Sequence, residues 1–280
     1  MTGFSRWRKL AHKEIHRAEL LLRDMEIDCV TACARFLEHP ESPVWKLAGG
    51  KGKISALLIN YGSALMPVLC GMKEIPRPGF IKKMARLKKI HSVQGLREEV
   101  VIFEKEIEKT GGFVTDTFDY DLMSLDVLPH GKGKALKSAN LVLRTPKMTD
   151  LDALAPLQGA YEQEEVIPKG AVFSPAASRM NIINIVSKGK VLAAELNGQL
   201  VGKINVSAVS FTRYLIGGVY VHPDFRGLGI GRRMTEEFVS SLINEGRGVS
   251  LFVKKNNTPA RRLYLSVGFQ KRGDYRITYY

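Results

Sequence analysis

Gly218-Val219-Tyr220-Val221-His222-Pro223-Asp224-Phe225-Arg226-Gly227-Leu228-Gly229-Ile230-Gly231-Arg232 is the most telling stretch of this 280-residue chain. The apolar run 215–221 has the length of a buried strand, and His222-Pro223 stops it. Glycines at 227, 229 and 231 then lead into a helical pattern over about 231–245. This order aims several main-chain N–H groups at one point, because the first turn of a helix has no intrahelical acceptors for them. The helix dipole adds partial positive charge, so a pyrophosphate is the natural occupant. Side chains at these three positions would hold the phosphate off the backbone or forbid the turn. A dinucleotide fingerprint is absent: no Gly-x-Gly-x-x-Gly follows a strand, and no acidic residue closes a next strand.

The same stretch resembles the acetyl-coenzyme A loop of the GNAT superfamily of N-acetyltransferases, whose pattern is Arg/Gln-x-x-Gly-x-Gly/Ala. A second block starts 26 residues after Gly231: Asn257-Thr258-Pro259-Ala260-Arg261-Arg262-Leu263-Tyr264-Leu265-Ser266-Val267-Gly268-Phe269. It looks like that superfamily's Asn-x-x-Ala-x-x-Leu-Tyr-x-x-x-Gly-Phe. The resemblance implies an α/β fold of the α+β type over 140–280, with a mixed, mainly antiparallel sheet flanked by helices. It also implies an acyltransferase that moves acetyl from acetyl-coenzyme A to an amine by direct attack in a ternary complex.

Carried over residue by residue, the resemblance assigns cofactor contacts to Val219, Tyr220 and Val221, where a strand splays from the strand 249–253 and leaves main-chain groups for the pantetheine arm. Arg226, Gly227, Leu228, Gly229, Ile230, Gly231 and Arg232 take the pyrophosphate, and Asn257 meets the pantetheine. Tyr264 stands where the superfamily protonates the departing coenzyme A sulfur; the residue-based alternative is a packed helix aromatic. Many members carry a Glu shortly before the loop, but here Ile216-Gly217-Gly218 holds no carboxylate. The candidate bases are therefore Glu162 and Glu165, with Glu164 between them, in Tyr161-Glu162-Gln163-Glu164-Glu165-Val166. A water chain is the equal alternative. Some such device is needed, since a lysine-like amine is neutral only about once in 2,500 times at pH 7, a deficit of roughly 5 kcal/mol. An acetyl-cysteine route is disfavoured, because residues 71–280 contain no Cys.

The rest of the chain exceeds what one such domain needs. Residues 1–130 read as an N-terminal α/β domain, 131–139 as a linker rich in Gly and Lys, and 140–280 as the acetyltransferase domain. In the first part, Ser5 is expected to cap a long helix with Trp7, Leu10, Ala11, Ile15, Ala18, Leu22 and Met25 on its apolar face. A second helix covers about 28–38, a strand 44–47, and a basic helix 80–89. Residues 54–72 run for 19 positions without a charge, long enough to span a bilayer. Asn60-Tyr61-Gly62-Ser63 splits them, however, into two strand-length pieces of a buried hairpin. A strand 90–93, a turn at Gln94-Gly95 and a helix 96–109 echo the second half of the chain. That turn lacks the further glycines of a coenzyme loop, so this half is read as a degenerate GNAT-like domain without a cofactor site.

The second half is expected to carry a strand 140–144, a helix capped by Thr149-Asp150 and running to about Gln163, and a helix opening at Ser174-Pro175. A hairpin on Asn197-Gly198 and a terminal strand 276–280 complete it.

Charge is uneven: residues 131–280 hold 22 Lys and Arg against 11 Asp and Glu, while residues 1–130 hold 20 against 17. An anionic coenzyme accounts for the surplus. So does a ribosome- or nucleic-acid-binding surface around a vestigial coenzyme site, which is the rival reading; a different acyl or aminoacyl donor is the third. Cys29, Cys33 and Cys70 are an odd number without a framework, which points to a reducing compartment, and no apolar stretch follows Arg6, Arg8 and Lys9 as a secretion signal requires. The expectation is a cytoplasmic protein off the membrane. Cys29 and Cys33 share a helix face, yet no second Cys/His pair at zinc spacing accompanies them, and no metal is expected.

Overall fold

The computed structural model describes residues 6–49, 53–75, 79, 81, 90–128 and 140–280. The expected linker 131–139 and nearly all of the expected basic helix 80–89 lie outside them. Twelve strands are formed: β1 (Arg8–Lys9), β2 (Val44–Ala48), β3 (Ile54–Tyr61), β4 (Ala64–Val68), β5 (Ser92–Leu96), β6 (Asp116–Leu125), β7 (Leu141–Arg144), β8 (Val191–Leu196), β9 (Gln199–Val209), β10 (Arg213–Val221), β11 (Gly248–Lys254) and β12 (Gln270–Tyr279). The chain divides into two compact units, Met1–Leu122 with Lys271–Tyr280, and Met123–Gln270.

In the first unit the strands run in the order β1-β2-β3-β4-β5-β12. β3 and β4 pair antiparallel about Gly62, which takes φ +59, so the uncharged stretch is a hairpin. No helix among the described residues is long and apolar enough to cross a membrane. β4 and β5 are parallel, paired at Ala64↔Ser92 and Leu65↔Val93. Helices Ile15–Asp24, Val30–Glu38 and Arg97–Glu108 accompany the sheet. The buried core gathers Trp7, Leu47, Leu58, Leu65, Val93, Val100 and Phe103.

Three expectations for this unit are corrected. Trp7 is buried but precedes the helix, which starts only at Ile15 after a 3-10 turn whose Glu14 carboxylate accepts from the Ala11 N–H at 3.2 Å. Gln94 and Gly95 lie inside β5 rather than in a turn, and the strand passes straight into the helix at Arg97. A Cβ on Gly95 would stand 3.4 Å from the Pro67 carbonyl oxygen, so glycine here serves close strand packing. Finally, the terminal strand pairs antiparallel with β5, from Tyr275↔Leu96 to Tyr279↔Ser92, and Lys271–Tyr280 belongs to the first unit, not to a domain 140–280. Arg276 anchors it through Asp119 at 2.8 Å and Glu104 at 3.3 Å. Cys29 and Cys33 are buried free thiols with their sulfurs 3.5 Å apart.

The second unit is a mixed, mainly antiparallel sheet in the order β11-β10-β9-β8-β7, in which only the β10–β11 pair is parallel. The β8–β9 hairpin turns on Asn197 and Gly198, both at positive φ (+51 and +81), the backbone that an Asn-Gly turn supplies. One core, including Val201, Ile216, Met234, Phe238, Leu251 and Phe269, lies under helices Ile230–Asn244 and Thr258–Val267. Another, including Leu154, Leu157, Ile182, Ala193 and Tyr220, lies under helices Leu151–Tyr161 and Pro175–Ser187. Ser174 caps the latter helix as its sequence predicts, accepting from the Ala177 N–H at 3.3 Å. The former ends in a π-helical turn, Glu162–Val166.

Candidate functional site

The site grows out of an irregularity in β10. Its parallel ladder with β11 runs from Arg213↔Gly248 to Ile216↔Leu251 and stops there. Its antiparallel ladder with β9 continues to Val221↔Gly202, but slips between Gly217 and Tyr220. Gly218 sits in that bulge at φ +61, where a Cβ would stand 2.1 Å from Asn205 Oδ1 and 2.6 Å from Lys203 Nζ. Only glycine meets both conditions. Among the described strands the main chain of 217–221, carrying Val219, Tyr220 and Val221, thus pairs with β9 alone, and the edge that faced β11 up to Ile216 is left for a hydrogen-bonding ligand.

Beyond β10 a short 3-10 turn, Pro223–Phe225, leads to the glycine loop. Gly227 at φ +80 and Gly229 at φ +74 are left-handed, and Gly229 is the N-cap of helix Ile230–Asn244. The first intrahelical bond is given by the Arg233 N–H to the Gly229 carbonyl at 3.1 Å, so the N–H groups of Ile230, Gly231 and Arg232 precede the ladder. Leu228 is exposed. Gly231 has a different reason from its two neighbours: a Cβ there would stand 3.1 Å from Leu263 Cδ1, so it lets helix Thr258–Val267 pack closely.

The side chains in and around the loop are already engaged. The Arg226 guanidinium donates to the Val221 carbonyl at 2.9 Å and to the Glu164 carboxylate at 2.9 Å, and lies 5.2 Å from the Tyr220 ring centroid. The Tyr220 hydroxyl donates to the same Glu164 at 2.9 Å. Arg232 is engaged along its own helix with Glu236 at 2.8 Å. Asn257 caps helix Thr258–Val267, its Oδ1 accepting from the Ala260 N–H at 3.1 Å while its amide donates to Glu165 at 3.0 Å.

Glu165 and Asn257 are thereby brought together, and Lys254 stands 3.5 Å from the same carboxylate. Tyr264 is buried, with its ring edge-on to Phe269. Burial first, then Tyr161 and Glu165, hold its hydroxyl well above the usual phenol range, so it keeps its proton. Glu162 is placed apart from this group: it is buried and accepts from Gln158 at 2.7 Å and Asn181 at 2.9 Å. The π-helical turn accounts for the dispersal, because its wider winding points neighbouring glutamates at different partners.

One residue of the site is missing from the sequence expectations. Lys203, on β9, is 0% exposed. Its Nζ donates to the Gly218 carbonyl at 3.1 Å, stands 3.3 Å from Asn205 Oδ1 and lies 4.9 Å from the Tyr161 ring centroid. Burial pushes this amine down to about 7, against the pull of Glu162. It is the only charged residue in the eleven of β9, and that is the signal that could have found it.

A split parallel strand pair beside a glycine turn on a helix N-terminus is suited to an extended ligand that carries phosphate. Residues 160–269 match the sequence model of the acetyltransferase (GNAT) family. Over 87 residues the chain is 38% identical to the N-alpha-acetyltransferase RimI of Mycobacterium tuberculosis, covering 29% of this chain and 52% of that protein. Over 86 residues it is 34% identical to an uncharacterized N-acetyltransferase of Archaeoglobus fulgidus, covering 28% and 58%. The chain thus spans about half the length of the curated relatives it matches.

Solved structures of similar fold include a GCN5-related N-acetyltransferase from Sphaerobacter thermophilus, with TM-score 0.63 and 16% identity over 98% of this chain and 94% of that one. A tandem GNAT protein from the clavulanic acid biosynthesis pathway gives TM-score 0.56 and 16% identity over 98% and 97%. Residues 160–269 are a GNAT acetyltransferase domain.

Proposed function

We propose that this protein is an N-acetyltransferase that moves acetyl from acetyl-coenzyme A to an amine by direct attack in a ternary complex. One observation carries the reading: within 160–269, β10 parts from β11 after Ile216, and the strand then runs into a glycine turn that ends on a helix N-terminus.

The residues fit the coenzyme. Left-handed Gly227 and Gly229 expose main chain, and the N–H groups ahead of the helical ladder suit a pyrophosphate. The open edge of 219–221 offers main-chain groups to a pantetheine arm, and the 226–232 loop needs no side-chain charge for this, since Arg226 and Arg232 are already paired. Acetyl-coenzyme A supplies an activated acyl thioester. The chain's own part is to hold the carbonyl against the β10 main chain, to exclude water and to handle protons. Tyr264, buried and protonated, is the donor to the departing sulfur. Glu165 is the better placed of the two candidate bases, since it neighbours Tyr264 and Asn257, whereas Glu162 is held through its Oε1 by the Gln158 and Asn181 amides.

We infer that the first unit holds no coenzyme: beyond the last β4–β5 pair, Leu65↔Val93, Gly95 packs closely on Pro67, and the buried Glu99 carboxylate accepts from the Leu69 N–H at 2.6 Å. The test is direct: the protein is incubated with acetyl-coenzyme A and a panel of amines and peptides, free thiol is assayed, and products are weighed by mass spectrometry. Thiol release matched by an acetylated amine supports the reading. Absence of both coenzyme binding and thiol release across the panel refutes it.

A further inference from the structure

The bulge in β10 is held on its main chain by two side chains. The Gly218 carbonyl accepts from Lys203 Nζ at 3.1 Å, and the Gly218 main chain also hydrogen-bonds the Tyr161 hydroxyl. Lys203 reaches it from β9, directly across from Tyr220, and is sealed beneath the ring of Tyr161. Among the described residues no carboxylate forms an ion pair with this amine. A fully buried amine without such a partner disfavours folding, and packing alone would be met by an apolar side chain of the same length. Its shortest polar contact is the carbonyl of Gly218, the residue whose conformation sets the site.

Resting on the acyl-transfer reading above, we propose that Lys203 is a positioning residue: its amine fixes the Gly218 bulge and thereby the open main-chain edge of 217–221. The amine touches neither the glycine loop nor Tyr264 in any contact the structure shows, so it acts through the β10 backbone. The groups facing it are Tyr161 and Glu162 from the helix and π-turn, Asn205 from its own strand and Tyr220 from β10. Burial holds both tyrosines above the usual phenol range, so neither titrates near neutrality. The amine does, since burial brings it to about 7. An ammonium binds a carbonyl more strongly than a neutral amine, so the bulge is held tighter below neutral pH than above it.

The experiment uses the full chain, its Lys203→Met variant and Lys203→Arg. Three readouts are taken: the amide resonance of Gly218 against pH, coenzyme A affinity by calorimetry, and kcat against pH. In the wild type, the Gly218 resonance and kcat should share a midpoint near neutrality. In Lys203→Met both midpoints should vanish and kcat should fall about tenfold or more, while coenzyme A affinity changes less than about threefold. Lys203→Arg should restore part of kcat without the midpoint. A wild-type Gly218 resonance indifferent to pH overturns the assignment, and this reading needs no variant to fold. So does a Lys203→Met protein with wild-type kcat and pH profile. Failure of the parent reading looks different, because there the wild type itself neither binds coenzyme A nor releases thiol; that result removes both.

Discussion

Replacing Lys203 with Met should change how stability depends on pH, by an amount that follows from its burial. In the unfolded chain the amine titrates near pH 10.4, and in the fold at about 7. For a base whose folded-state value is depressed, the unfolded chain carries a proton between these two limits that the folded chain lacks. Unfolding therefore takes up a proton, and wild-type stability rises with pH across that window. One unit corresponds to about 1.4 kcal/mol, so from about pH 7 to about pH 8.5 the wild type should gain about 2 kcal/mol relative to Lys203→Met. Comparing the two proteins cancels the thiols and phenols that titrate in both. At pH 7 the variant should be the more stable, since the full shift corresponds to about 5 kcal/mol and the orphaned Gly218 carbonyl takes back about 1–3 kcal/mol. Urea denaturation of both proteins at the two pH values measures the difference. Parallel pH dependence, within about 0.5 kcal/mol, would refute a buried amine titrating near neutrality.

Gly229→Val should leave a folded protein of lower Tm without detectable coenzyme A binding by calorimetry, because a β-branched residue at φ +74 is strained by roughly 1–3 kcal/mol and blocks approach to the loop. Tyr264→Phe should lower kcat more than it weakens coenzyme A binding, as only the hydroxyl is lost; unchanged turnover at saturating acetyl-coenzyme A would return Tyr264 to the core. Burial raises Glu99 to about 7, so the folded chain keeps a proton that the unfolded chain has released, and stability should fall as pH rises from about 4.5 to about 7, by up to about 3 kcal/mol. Glu99→Gln should flatten that slope in denaturation curves; an unchanged slope would show that another group is responsible.

Local chemistry made the second unit readable. Asn197-Gly198, Ser174-Pro175 and the loop glycines Gly227 and Gly229 each favour one backbone conformation, and each adopts it. The parting of β10 from β11 came from resemblance, and the structure shows the ladder ending at Ile216. Long-range choices were not legible. Alternation at Tyr275, Ile277 and Tyr279 announces a strand but not its partner, and β12 pairs with β5 of the first unit, where Arg276 also meets Asp119 and Glu104. Trp7 fits a helical period, yet it is buried ahead of the helix. Gly231 was read as leaving room for phosphate, and it leaves room for Leu263. The spread of Glu162, Glu164 and Glu165 over three different partners depends on a π-helical turn that no residue pattern signals. Lys203 was hidden for a related reason: a charge inside a strand reads as a solvated edge until the bulge across from it is known.

The central claim is that the main chain of 219–232 receives coenzyme A, and a crystal structure of the full chain grown with coenzyme A tests it most directly. The pyrophosphate should lie on the N–H groups of the loop and first helical turn, from Gly227 to Arg232, and the pantetheine arm along the open edge of Val219, Tyr220 and Val221. Coenzyme A bound elsewhere, or a loop left empty at saturating coenzyme A, would contradict it.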